Sequence, residues 1–111
     1  MTYDEVLADR IRELLEGTAE LTEKTMFGGL AFLIGGNMAV AASGQGGLLV
    51  RVDPATSGDL IGSAGVRPME MRGRELDGWL LIDLEQVSTQ ADLARWVQIG
   101  ATFAGTLPAK G

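Results

Sequence analysis

From Thr25 to Val50 the chain carries no charged residue, yet seven glycines interrupt this apolar run. A continuous apolar stretch of that length could cross a bilayer as a helix. Here Gly28-Gly29, Gly35-Gly36, Gly44 and Gly46-Gly47 recur at turn spacing, together with Asn37, Ser43 and Gln45. Glycine pairs at such intervals punctuate short strands rather than fill a membrane helix. The run therefore reads as hairpins, with strands near residues 23–27, 30–34, 38–42 and 48–52. The links are too short for crossovers, so the strands are antiparallel neighbours.

The flanks are helical. Val6, Leu7, Ile11, Leu14 and Leu15 share one side of an amphipathic segment that Thr2 and Glu5 open as a capping box and Gly17 ends. Asp53-Pro54 provides a cap and a first-turn proline for a short helix to Ile61. A second hairpin is expected from Met69–Leu76 and Trp79–Leu84, turned at Asp77-Gly78. A last helix starts near Ser88 or Thr89 and carries Leu93, Trp96, Val97, Gly100, Phe103 and Ala104 along one stripe. The order α-ββββ-α-ββ-α predicts a single α+β domain over residues 1–111. It is a two-layer domain, with an antiparallel sheet of about six strands and three helices on one face.

Composition narrows the chemistry. The 111 residues include no Cys and no His, which excludes Ser-His-Asp and Cys-His nucleophiles, Cys/His zinc sites and disulfides. No phosphate-binding loop, G-x-S-x-G elbow or calcium loop is present, and the acidic residues lack convergent metal-ligand spacing. We expect no enzyme activity, no cofactor and no metal. The N-terminus has neither a basic nor an apolar leader segment, so a cytoplasmic, non-membrane protein is expected.

Net charge is −6, unevenly spread. Residues 1–23 hold seven acidic and two basic groups, residues 24–74 three and five, and residues 75–111 five and two. A mildly basic middle thus lies between acidic ends. Direct nucleic-acid binding through Arg51, Arg67, Arg72 and Arg74 is an alternative reading, not favoured because backbone affinity rests on denser Lys and Arg clusters. A small-molecule binder or an enzyme without a recognisable motif is a third. Met69 and Met71, like Trp79 and Trp96, read as core.

Alternation splits each strand into two faces. Leu30, Phe32 and Ile34 oppose Ala31 and Leu33; Met38, Val40 and Ala42 oppose Ala39 and Ala41; Leu48 and Val50 oppose Leu49 and Arg51. Both faces are apolar, although a sheet with helices on one side ordinarily turns polar residues outward on the other. We therefore expect Ala31, Leu33, Ala39, Ala41 and Leu49 to form an association face, covered by a second copy in a homodimer or by a protein partner. The alternatives are that a loop of the same chain, near Gly62–Pro68, folds over it, or that small alanines tolerate exposure.

The segment Thr22–Leu30, with Lys24, Met26, Phe27, Gly28 and Gly29 as its most specific part, resembles the N-terminal domain of the TfoX/Sxy family of bacterial competence regulators. Phe32, the Gly36-Asn37-Met38 turn, Leu49–Val52, Arg67–Met71, Gly78-Trp79 and the helix around Trp96 extend the resemblance over about residues 3–107. It implies an α+β domain and a regulatory, non-enzymatic role in transcription of DNA-uptake genes. Full-length regulators of the family carry a second, helical C-terminal domain, and this chain reads as the stand-alone form. The five signature residues are expected to have a structural or binding role, with Gly28-Gly29 as a turn or bulge that re-aims the strand.

Overall fold

A computed structural model of the chain describes residues 3–26, 28–44, 46–61, 65–71 and 73–108. Helix α1 (Glu5–Leu15) starts where the Asp4 carboxylate accepts hydrogen bonds from the backbone N–H groups of Val6 and Leu7, at 2.9 and 3.1 Å. This carboxylate satisfies two otherwise orphaned donors, so the helix begins later than a Thr2 cap would set it. Thr2 lies outside the described residues.

Six strands form one antiparallel sheet: β1 (Leu21–Met26), β2 (Gly29–Ile34), β3 (Asn37–Ala42), β4 (Leu48–Arg51), β5 (Val66–Met71) and β6 (Arg74–Ile82). Their spatial order is β1-β2-β3-β4-β6-β5. Helix α2 (Pro54–Ile61) joins β4 to β5, and Asp53 caps it by accepting from the Ala55 N–H. A 3-10 turn over Leu84–Val87 occupies the place where the last strand was expected to reach Leu84. Helix α3 (Gln90–Thr106) follows, capped by the Thr89 hydroxyl as the sequence predicts.

All three helices lie on one sheet face. Phe32, Val40, Leu48, Val50, Leu80 and Ile82 pack beneath Leu7 and Ile11 of α1 and Leu93 and Trp96 of α3, with Leu60 and Ile61 of α2 against the same cluster. Fully burying side chains of this size stabilises by about 1.5–3 kcal/mol each. Arg10 ties α1 to the start of α3 by donating to the carbonyl of Val87 and the side chain of Gln90.

Two irregularities separate the sheet from the pattern expected of it. Between β2 and β3 the register passes from Phe32↔Val40 to Leu33↔Met38, so Ala39 is an extra residue on β3. This bulge turns Met38 to the face of Ala31 and Ala41, away from Val40 and Ala42 with which strict alternation groups it. Between β5 and β6 the register jumps from Pro68↔Leu80 to Met69↔Leu76, leaving Asp77, Gly78 and Trp79 without a β5 partner. The hairpin does not turn at Asp77-Gly78. It turns around Gly73, and Asp77-Gly78 is a break inside β6. Gly78 has φ +83°, its carbonyl accepts from the Val52 N–H at 2.8 Å, and a side chain there would press on the Val52 carbonyl and on Pro54. A sequence pair that favours tight turns is used here to dock one strand on its neighbour.

Candidate interaction surface

The face of the sheet opposite the helices holds a second apolar cluster of Ala31, Met38, Ala41, Leu49 and Met69, flanked by half-buried Met26, Leu33, Leu76 and Trp79. Met26 belongs to β1 and Met69 to β5, the two outermost strands, yet both line one crevice with Gly29, Met38, Ala41 and Leu49. In a flat sheet these strands would stand five spacings of about 4.8 Å apart. The sheet is therefore rolled, with this face inside. Gly29, Ala31 and Ala41 are small enough to let the far side of the roll approach, and the unbranched methionines fill the irregular space that remains.

This geometry places the residues expected to form an association face. Ala31, Ala39, Ala41 and Leu49 expose 1%, 0%, 5% and 6% of their surface, and Leu33 is half-buried. The first four are covered within one chain, so a second apolar face does not by itself call for a partner. Among the described residues, Ala31, Ala41 and Leu49 are covered by the roll and by the arm Met69–Leu76 beyond the β6 break. Residues 66–68 of the Gly62–Pro68 segment belong to β5, and residues 62–64 lie outside the described residues. Ala39 stands apart from the others. Its carbonyl lies under Gly100 of α3, where any side chain at residue 100 would collide with it.

The signature residues also separate by role. Gly28 has φ +76°, and a side chain on Gly29 would meet the Ala42 carbonyl and the backbone of Ser43 and Gly44. Met26 packs on the inner face, and Lys24, two residues before it on the same face, is exposed. Phe27 lies outside the described residues. The glycine pair is thus a close backbone approach that closes the β1–β2 hairpin over the β3–β4 turn, and among the described signature residues Lys24 has an exposed side chain.

Of the four arginines considered for nucleic acid, Arg67 is ion-paired with Asp83, and the Arg51 guanidinium lies 5.0 Å from the Trp79 ring centre and 5.8 Å from that of Phe103. Arg74 is exposed at the start of β6, and Arg72 lies outside the described residues. On the opposite side of the sheet Arg12 bridges Asp9 of its own helix and Glu23 of β1. The hydrogen bond from Arg12 holds the Glu23 carboxyl below its usual range against the opposing effect of burial, and that bond raises the Arg12 guanidinium in turn. A cleft runs beside α3, between Val52 and Phe103. Within it Gln98 donates to Thr102 and the Thr106 hydroxyl to the Phe103 carbonyl. Among the described residues no cluster of acidic side chains could hold a metal ion, and no helix is long and apolar enough to cross a membrane.

β1 is an edge strand. Two-fold antiparallel pairing of two such edges places residues of the same face opposite each other. The two registers centred on β1 then set Glu23 against Glu23 or Lys24 against Lys24, both repulsive. Those two registers are disfavoured.

These features define a class: a small α+β domain whose antiparallel sheet is roofed by three helices on one side and rolled around a methionine-lined interior on the other. The family model of the TfoX N-terminal domain matches residues 13–104, and the chain belongs to that family. Among curated proteins and among solved structures, none gives a significant match.

Proposed function

We propose that this chain is a cytoplasmic, non-enzymatic regulatory domain that acts through protein contacts, as the TfoX family suggests for transcription. The observation that carries the reading is the grouping of half-buried apolar side chains, Met26, Leu33, Leu76 and Trp79, against one buried cluster on the helix-free face. Exposed apolar atoms that cluster, rather than scatter, are the usual mark of a contact surface. Burial of Ala31, Ala39, Ala41 and Leu49 moves the contact from the centre of that face to its rim. A homodimer, if formed, would use the rim rather than the β1 edge.

Co-purification of the tagged chain from its native host, with light scattering over a concentration series, tests this reading. The expected result is a specific protein partner or a concentration-dependent dimer. A strict monomer that returns no partner would contradict it.

A further inference from the structure

Seven cationic side chains fall among the described residues, and three of them have oxygen partners: Arg10 on the Val87 carbonyl, Arg12 on Asp9 and Glu23, and Arg67 on Asp83. Of the remaining four, Arg95 lies over Trp96 on α3. The other three share the helix-free face. Lys24 alternates with Met26 and stands opposite Ala31; Arg51 alternates with Leu49 and stands opposite Trp79; Arg74 alternates with Leu76 on the arm. In a chain of net charge −6, three of the four described cations without an oxygen partner thus share a face with the half-buried Met26, Leu33, Leu76 and Trp79.

Granted the protein-contact function proposed above, we infer that this rim is a docking groove for an acidic segment of a partner protein, one that combines carboxylates with large apolar anchors. The anchors seat against Leu33, Leu76 and Trp79, and the carboxylates meet Lys24, Arg51 and Arg74. The Arg51 guanidinium lies 5.0 Å from the Trp79 ring centre and 5.8 Å from that of Phe103, at the border between the helix-free face and α3, and its planar fork suits bidentate carboxylate recognition. Half-buried Met26 at the rim adapts to anchors of differing shape. Carboxylates on this side lie at the far end, where Glu70 and Glu75 border a crevice with Arg67 and Leu81, and Asp83 is taken up by Arg67. Nucleic acid fits less well, since three separated cations neutralise few phosphates and the centre of the rim is aliphatic.

Selection of random dodecapeptides on the full chain, repeated on the Lys24→Glu/Arg74→Glu variant, tests the groove. Both substitutions are at exposed positions, and circular dichroism checks the fold. The expected outcome is enrichment of acidic peptides with two or more Leu, Phe, Trp or Met residues, whose affinity falls by about tenfold or more in the variant. Enriched peptides that are neutral or basic, or that bind the variant equally well, would overturn the groove while leaving the protein-contact function standing. Failure to enrich any peptide would also overturn it. If oligodeoxythymidine then bound tightly at about 50 mM salt, the protein-contact function would fall as well.

Discussion

The two faces of this sheet are made of different material. Under the helices, strands β2, β3, β4 and β6 present Phe32, Val40, Leu48, Val50, Leu80 and Ile82, large side chains that need other elements to cover them. On the inner face the same strands present Ala31, Ala41, Leu49 and, through the Ala39 bulge, Met38. Small residues cannot fill a space between layers, but they let a sheet close on itself. An apolar second face is therefore not always a missing interface. Where it is built of alanine, glycine and methionine, curvature can bury it.

That contrast can be broken by substitution. The largest loss is expected on the helix face: Phe32→Ala should cost about 3–5 kcal/mol in denaturant unfolding, because the sheet and helices around it cannot collapse into the void. Met69→Ala should cost about 2 kcal/mol, at the low end for such truncations, because the arm that carries it can settle inward. Gly29→Ala should cost about 1–3 kcal/mol, since the added methyl meets backbone rather than a yielding side chain.

The smallest effect sharpens the outer boundary of the helix face. The Glu23 carboxyl is held below its ordinary value of 4.5, so its contribution is present above that pH and fades as pH falls through the lower folded value. Arg12 and Glu23 are both more than a third exposed, which limits the pair to roughly 1 kcal/mol or less. Glu23→Gln should therefore lower stability slightly at neutral pH and converge with the parent chain in acid, as read from urea midpoints at pH 7 and pH 3.

The helix face was legible in the sequence because it obeys alternation. Leu30 and Phe32, Val40 and Ala42, and Leu48 and Val50 fall where a period of two puts them, and the caps at Asp53 and Thr89 have the chemistry that helix starts require. The inner face was legible as apolar but not as covered. Its cover depends on Asp77, Gly78 and Trp79 dropping out of the β5–β6 ladder, and Asp-Gly inside a strand carries the same local signature as Asp-Gly in a hairpin turn. Only the docking of Gly78 on Val52 distinguishes them, and that contact joins residues far apart in sequence. The candidate rim shows the same split. Lys24 stood out within the signature and Arg51 and Arg74 within the basic middle, but nothing local places the three on one face with Leu33, Leu76 and Trp79.

Methyl NOE spectroscopy on the dilute protein, with methionine, alanine and leucine methyls labelled, tests the self-covered inner face most directly. Cross-peaks from the Met69 methyl to those of Ala41, Leu49 or Met38 are expected at concentrations where the chain is monomeric, with intensities independent of dilution. A Met69 methyl that contacts only its own arm, or gains those cross-peaks only as a dimer forms, would contradict the account.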